Sequence, residues 1–150
     1  MNKPEIDTDG TKRWYLNGKR HREDGPAIEY ADGDKFWYLN CKRHREDINP
    51  ETGLTMPAIE LTNGDKHWCL NGNLHREDIN PETGLTMPAI EWADGSKFWY
   101  SNDNRHRDDG PAIEFADGRT KYYINGKHIP QLDNKHIYGK ENLQKFLLLI

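Results

Sequence analysis

The residues best able to do chemistry occur as four copies of a His-Arg-acidic-acidic motif. A histidine beside a carboxylate could act as an acid/base pair or as two metal ligands. An active site, however, normally needs one asymmetric group of side chains, and no polar group in these motifs is unique. We therefore predict a non-enzymatic protein with no cofactor and no metal site. The motifs are His21-Arg22-Glu23-Asp24, His44-Arg45-Glu46-Asp47, His75-Arg76-Glu77-Asp78 and His106-Arg107-Asp108-Asp109.

Two interpretations of this motif remain open. In the structural one, Asp24 accepts hydrogen bonds from its own turn, and Arg22 pairs with a carboxylate of its own or the next repeat. In the binding one, the arginines and histidines line an edge that holds a small anion such as a nucleotide or a lipid headgroup, although neighbouring carboxylates cancel part of the charge. The binding residues would then be Arg22, Arg45, Arg76, Arg107, His21, His44, His75 and His106.

The motif belongs to a repeat that is best aligned on an aromatic residue. The aligned residues are Trp14, Trp37, Trp68, Trp99 and Tyr122, which are 23, 31, 31 and 23 positions apart. The two longer repeats contain the shorter one with eight residues inserted after the motif aspartate. Periods of this length are typical of arrays in which each repeat is one supersecondary unit that shares its core with its neighbours.

Turn signals divide each repeat into two predicted strands. In the first repeat, Asp-Gly at 9–10 and Asn-Gly at 17–18 flank a strand over 11–16, because both dipeptides readily adopt positive φ. The polar segment 19–26 ends in Asp-Gly-Pro and predicts a loop, and 27–31 predicts the second strand.

A two-residue type I′ turn at Asp-Gly 32–33 would fix the register of the following hairpin. Ile28 would then face Trp37, and Glu29 would face Phe36 on the other side. The Ile/Trp side is apolar in every repeat and predicts the core. The other side varies and predicts a partly exposed surface whose aromatic residues could contact a partner. These candidates are Phe36, Tyr38, Phe98 and Tyr100.

The two inserted loops, 48–56 and 79–87, are copies of each other. The segments 44–60 and 75–91 that contain them are identical over all seventeen residues. One explanation is a recent duplication. The other is that both loops contact the same kind of feature on a partner. The apolar contacts would then come from Leu54, Met56, Leu85 and Met87.

The C-terminal segment changes from strand to helix character. Leu143, Phe146, Leu147 and Ile150 follow helical spacing, which predicts an amphipathic helix over 140–150. Repeat arrays need terminal caps, so this helix is expected to cover the last hairpin. Its apolar end could instead form the contact of a homodimer.

Composition limits the classes of partner. Apolar residues make up 34% and charged residues 31% of 150 residues, which predicts one elongated, thin-cored domain over 1–150. The net charge of −4 comes from interleaved signs, so a nucleic-acid partner is not favoured. Without an apolar signal segment or a membrane-length apolar stretch, we expect a cytoplasmic protein. The two cysteines occupy unrelated repeat positions and predict neither a disulfide framework nor a metal site.

The repeat unit resembles the MORN (membrane occupation and recognition nexus) repeat over roughly residues 7–127. The resemblance is carried by Trp-Tyr-Leu-Asn-Gly-Lys-Arg-His at 14–21 and the closing Tyr-Ala-Asp-Gly at 30–33. It implies an all-β, elongated, single-layer meander of antiparallel hairpins, and a role in protein or lipid binding without catalysis by the repeats.

One part of the motif departs from that family. MORN repeats follow the histidine with Gly-x-Gly, whereas this chain has Arg-Glu-Asp-Gly-Pro-Ala at 22–27. The variant is similar to repeats of tailed phages and giant viruses. The resemblance therefore implies a phage-encoded inhibitor or modulator that binds a host or defence protein in the host cytoplasm. The alternatives are a sequestering protein for a small, nucleotide-like anion and a peripheral phospholipid binder.

Overall fold

The computed structural model describes residues 3–150 and divides into two compact units, Met1–Asn73 and Leu74–Ile150. The strands of both units are two residues long. The strands of the first unit are β1 (Glu5–Ile6), β2 (Lys12–Arg13), β3 (Tyr15–Leu16), β4 (Lys19–Arg20), β5 (Ile28–Glu29), β6 (Lys35–Phe36), β7 (Tyr38–Leu39), β8 (Lys42–Arg43), β9 (Ile59–Glu60), β10 (Lys66–His67) and β11 (Cys69–Leu70). β12 (Asn73–Leu74) lies at the boundary, and the second unit continues with β13 (Ile90–Glu91), β14 (Lys97–Phe98), β15 (Tyr100–Ser101), β16 (Asn104–Arg105), β17 (Ile113–Glu114), β18 (Thr120–Lys121), β19 (Tyr123–Ile124), β20 (Lys127–His128), a 3₁₀ turn (Pro130–Leu132) and α1 (Lys140–Leu147).

Two kinds of hairpin alternate along each unit. In the first unit, β1, β2, β5, β6, β9 and β10 pair in that order as an antiparallel meander. In the second, β13, β14, β17 and β18 do the same. Between the meander strands stand smaller hairpins, here called arms, formed by β3–β4, β7–β8, β15–β16 and β19–β20. The prediction of an all-β array of antiparallel hairpins with a C-terminal helix is confirmed.

The repeated tryptophan is the point where the chain passes from meander to arm. The Trp14 amide donates to the Ala27 carbonyl at 2.9 Å, which continues the pairing of β2 with β5. Its carbonyl accepts from the His21 amide at 3.1 Å, which continues the pairing of β3 with β4. One residue therefore serves both pairs, and the strand predicted over 11–16 is divided at Trp14.

The Asn-Gly turns have the predicted geometry. Asn17 and Gly18 have φ of 51° and 71°, and Leu16 pairs with Lys19 across them, as in a two-residue type I′ hairpin. The prediction of a loop over the whole of 19–26 was wrong at its start, because Lys19–Arg20 is the second strand of the arm. Both residues of this strand are polar and exposed, so no alternation of apolar and polar residues marks it in the sequence.

The Asp-Gly turn differs from the prediction, and the register changes with it. Ile28 pairs with Phe36 and Glu29 with Lys35, so the expected pairing of Ile28 with Trp37 was wrong. The Tyr30 amide donates to the Asp34 carbonyl, which makes the loop three residues long, with Gly33 at φ 102°. The Asp32 carboxylate accepts from the Asp34 amide at 3.1 Å and stabilises this longer turn.

The predicted core residues are buried despite the changed register. The isoleucines and tryptophans of the repeat are buried, and the alanine that precedes each isoleucine is fully covered. The buried set is Trp14, Trp37, Trp68, Trp99, Tyr122, Ile28, Ile59, Ile90, Ile113, Ala27, Ala58, Ala89 and Ala112.

The C-terminal segment forms the cap that the sequence predicts. Leu143 of α1 is buried with Tyr122, Leu132 and Ile137, and Leu147 packs against this cluster. The helix ends at Leu147, three residues before the predicted end. The side chains left exposed are Phe146, Leu148, Leu149 and Ile150, and the homodimer contact stays a prediction.

Helices contribute little to this chain. Among residues 3–150, no helix is long and apolar enough to cross a membrane.

Cys41 is exposed, Cys69 is buried, and both are free thiols. Within residues 3–150, no group of three or more His, Cys, Asp or Glu side chains could hold a metal ion.

Candidate functional site

The second residue of each motif, here called a motif arginine, is bonded within its own repeat. Arg107 donates from Nε to Asp109 Oδ1 at 2.6 Å, and from Nη1 to Glu114 Oε1 at 2.8 Å and the Pro111 carbonyl at 3.1 Å. Its Cζ lies 3.9 Å from the centre of the Trp99 ring. The guanidinium is therefore neutralised by two carboxylates and covered by an indole face.

The other three motif arginines repeat these contacts. Each donates to the aspartate two positions later and to the glutamate of the next meander strand. The pairs are Arg22 with Asp24 and Glu29, Arg45 with Asp47 and Glu60, and Arg76 with Asp78 and Glu91. Side-chain exposure is 20% at Arg22 and 3% at both Arg76 and Arg107, so the later copies are almost completely covered.

The glycine after the motif aspartate is explained by this arginine. A Cβ atom at Gly25 would lie 2.8 Å from Arg22 Cζ, and one at Gly110 would lie 2.8 Å from Arg107 Cζ. Contacts that short do not occur without a shift of the neighbour. The Gly-Pro-Ala sequence is therefore part of the arginine site.

The motif histidines connect consecutive arms. His21 Nδ1 accepts from the Asn40 amide at 3.2 Å, and His106 Nδ1 accepts from the Asn125 amide at 3.1 Å. Because Nδ1 accepts from an amide, the neutral ring carries its proton on Nε2. The same bond joins His44 to Asn71 and His75 to Asn102.

These contacts agree with the structural interpretation of the motif, in which its side chains bond within the repeat and to the next one. All four arginines and all four histidines have partners inside the chain. An anion that bound to them would have to displace carboxylates already held at 2.6–3.2 Å. The geometry gives these residues the role of holding repeats together.

The aromatic candidates lie at different depths. Phe36 is half-buried and meets Tyr30 edge to face at 5.4 Å. Tyr38, which we expected on a partly exposed surface, is buried beside Ile28. Phe98 is half-buried between the rings of Trp92 and Phe115, both at 5.9 Å. Tyr100 is also half-buried.

The inserted loops are folded back and internally braced. Asn49 Oδ1 accepts from the Glu51 and Thr52 amides, and Ile48 bridges to Thr55. The carbonyl of Thr55 accepts from Trp68 Nε1 at 2.9 Å. In the second copy, Asn80 and Thr86 make the corresponding bonds, with Trp99 as the donor.

The leucines and methionines predicted as apolar contacts of these loops are half-buried. The exposed apolar residue of each loop is an isoleucine that was not among them. Met56 Sδ lies 3.3 Å from Nη2 of Arg45, and Met87 Sδ lies 3.6 Å from Nη2 of Arg76. Leu54 and Leu85 are also half-buried. Ile48 and Ile79, at the start of the loops, are 53% and 49% exposed.

Sequence reasoning missed a second set of arginines, here called the hairpin arginines: Arg20, Arg43 and Arg105. Each precedes a motif arginine by two residues and ends an arm. The Arg20 guanidinium lies 5.5 Å from the Tyr38 ring centre, and Arg43 Nε donates to Tyr38 Oη at 3.4 Å. This hydrogen bond raises the pKa of Arg43 above its ordinary value, against an opposite effect of burial. The available signal was the repeated arginine immediately before the motif histidine.

Arg105 repeats this arrangement in the second unit. Its Nε donates to Tyr100 Oη at 3.3 Å, and its guanidinium lies 5.4 Å from the Tyr123 ring centre. These three residues line an open cleft of about 360 Å³, together with Asp103, Asn104 and Gly126. Asp103 Oδ1 is already engaged by the Leu74 amide at 2.7 Å.

Comparisons with known proteins identify no relative of this chain. A scan against models of protein families gives no match to the chain, and a search among curated proteins gives no related sequence. The case for function therefore depends on the geometry of the repeats.

Proposed function

We propose that this protein is a non-enzymatic repeat scaffold that binds another protein. The observation that supports this function best is the pair of identical, internally braced loops that each present one exposed isoleucine, Ile48 or Ile79. Loops fixed by their own hydrogen bonds lose little conformational entropy on binding, and exposed apolar side chains on them favour protein partners. By the MORN-like resemblance, the partner is a host or defence protein and the source a phage.

The bonding of the motif residues also favours a scaffold. Each copy uses its arginine and histidine for the same internal contacts. The same contacts therefore recur from repeat to repeat, and no single repeat forms an asymmetric site of its own. A sequestering site for a small anion at these residues, and a phospholipid site, remain alternative proposals. Both would need an anion to compete with the carboxylates already paired there.

Native mass spectrometry of the protein purified from cells in which it is naturally made tests this function. We expect a stoichiometric protein partner with the wild type and its loss with the double variant Ile48→Asn/Ile79→Asn. Ile6→Asn is the matched control, because Ile6 is 65% exposed on β1 and lies outside the loops. A bound small anion without a protein partner would favour the sequestering alternative.

A further inference from the structure

The hairpin arginines differ from the motif arginines in how their charge is balanced. Arg20, Arg43 and Arg105 are all exposed, and within residues 3–150 none of them forms a salt bridge with a carboxylate. Their recorded partners are tyrosine rings and hydroxyls. A guanidinium that lies on an aromatic ring keeps its charge and its unused N–H groups available to a second ligand.

The arms of the first unit concentrate positive charge. The arms β3–β4 and β7–β8 contain Lys19, Arg20, Lys42 and Arg43 and no Asp or Glu, although the chain carries a net charge of −4. The acidic residues lie outside these arms. Asp24, Glu29, Asp47 and Glu60 neutralise the motif arginines, and Glu23 and Glu46 lie beside the motif histidines. The arms themselves therefore carry only positive charge, although the signs are interleaved in the sequence.

Backbone bonds fix the two arms beside each other. The Arg20 carbonyl accepts from the Cys41 amide at 2.9 Å, and the Arg22 amide, two residues after the end of β4, donates to the Tyr38 carbonyl at 3.1 Å. Arg20 reaches across to the Tyr38 ring of the next arm, where Arg43 Nε is bonded to the hydroxyl. One tyrosine thus positions two arginines, and Nη1 and Nη2 of Arg43 are left to form a bidentate pair with a carboxylate.

We propose that the arms of the first unit bind an acidic segment of a partner protein, with its carboxylates paired to Arg20 and Arg43. This inference rests on the proposed protein-binding function and names the chemistry of the partner. Leu16, exposed on the same arms, adds an apolar contact, so the segment carries apolar as well as acidic side chains. A nucleic acid or an anionic membrane is bound through a longer basic surface than these four residues provide. The net negative charge of the chain also disfavours both partners.

The second unit has a related but weaker site. Arg105 donates to a tyrosine hydroxyl as Arg43 does and lies on the ring of the next arm's tyrosine as Arg20 does, in a cleft large enough for a side chain. Asp103, in the same cleft, lowers its positive potential. We therefore assign the main contact to the arms of the first unit.

The test measures fluorescence anisotropy of a short labelled peptide that repeats Glu-Gly-Leu, with a Gln-Gly-Leu peptide as the uncharged comparison. The wild type binds the acidic peptide, and binding weakens with added salt because the contacts are exposed. The variant Arg20→Gln/Arg43→Gln weakens binding about tenfold or more, since two charge-assisted pairs are lost. The control Lys35→Gln/Lys66→Gln removes the same charge from exposed meander positions and changes binding less than about twofold.

Several results would overturn the inference. Equal binding of the two peptides, equal binding by the arginine variant, or stronger binding to a single-stranded oligonucleotide or to phosphatidylserine vesicles would each do so. The partner seen by native mass spectrometry separates this inference from the proposed function. If Arg20→Gln/Arg43→Gln retains that partner, the acidic-segment inference fails and protein binding stands. Absence of any protein partner from the wild type would count against the function itself.

Discussion

Arginine has two roles in this repeat, and its partners decide which one a given residue has. Arg107 is held by Asp109 and Glu114 beneath Trp99. Arg105, two residues earlier, is exposed and lies on tyrosine. The sequence gives both positions the same character, because both are repeated arginines in a polar segment. They differ in their partners, because Arg107 pairs with Asp109 and with the glutamate of the next meander strand, whereas Arg105 bonds to a tyrosine hydroxyl.

Replacing each of these two arginines separates the roles by stability. Arg107→Gln leaves the covered carboxylates of Asp109 and Glu114 without their cation, and we expect a loss of about 3 kcal/mol in the free energy of unfolding. Arg105→Gln removes an exposed charge and should change stability by less than about 0.5 kcal/mol. Urea unfolding followed by tryptophan fluorescence measures both. A loss of similar size for the two variants would contradict the distinction.

His67 gives the chain a specific sensitivity to acid. Burial lowers the pKa of His67 below its ordinary value, and the attraction of Asp65 only partly opposes this. As the pH falls below about 6.5, the unfolded chain binds a proton at this residue before the folded chain does. Its contribution is therefore complete above that pH and is lost as the pH falls toward the folded pKa.

The variant His67→Phe tests this effect at a position where the equivalent residues, Phe36 and Phe98, are already phenylalanine. We expect its urea midpoint to fall less than that of the wild type between pH 7.5 and pH 5, because one proton-linked term is removed. His128→Phe is a useful comparison, since His128 is paired with Asp133 at 2.9 Å. Parallel pH profiles for wild type and His67→Phe would exclude the effect.

At the scale of elements, the turns show how far sequence reasoning reached. The Asn-Gly turns were predicted correctly, because two consecutive residues at positive φ leave one good two-residue turn. At Asp-Gly 32–33, the Asp32 carboxylate accepts from the Asp34 amide and stabilises a three-residue loop. A rule based on the two turn residues alone does not include this bond. One extra loop residue changed the pairing of Ile28 from Trp37 to Phe36. The isoleucines and tryptophans are nevertheless buried as predicted.

Two arms carry a residue other than glycine in the second turn position, and they should respond differently to its replacement. Cys41 has φ of 64°, where Gly18 has 71°. Cys41→Gly relieves the left-handed conformation and loses only the weak bond from the Arg20 amide to Cys41 Sγ at 3.3 Å, so it should stabilise the protein by up to about 1 kcal/mol. Asp103 also has φ of 64°, but its carboxylate accepts from the Leu74 amide at 2.7 Å.

Asp103→Gly should therefore give no gain, because the lost hydrogen bond, about 1 kcal/mol, offsets the relieved strain. Thermal unfolding of both variants provides the comparison, with Gly18→Ala as a destabilising control. Equal stabilisation by the two glycine substitutions would show that the Asp103 bond contributes nothing.

At the scale of the whole molecule, stability comes from each repeat bonding to its neighbour and from the last repeat being covered. In the second unit, His106 bonds to the next arm at Asn125, but the final arm has no next repeat. His128 instead pairs with Asp133 at 2.9 Å, and Tyr122 Oη donates to the Lys135 carbonyl at 2.8 Å. Segment 129–150 therefore substitutes for a repeat, in agreement with the C-terminal cap predicted over 128–150, where Leu143, Phe146, Leu147 and Ile150 follow helical spacing.

Shortening one side chain of this cap tests whether it stabilises the array or only follows it. Leu143→Ala opens a cavity beside Tyr122 and Leu132 and should cost about 2–5 kcal/mol of local stability. In an array with nearest-neighbour coupling, hydrogen exchange within the second unit should rise most in β18–β20 and less in β13 and β14. Leu149→Ala is the matched control, because Leu149 is 80% exposed and should leave exchange unchanged. A uniform rise across the second unit would instead show that its repeats unfold as one cooperative body, with the cap stabilising all of them equally.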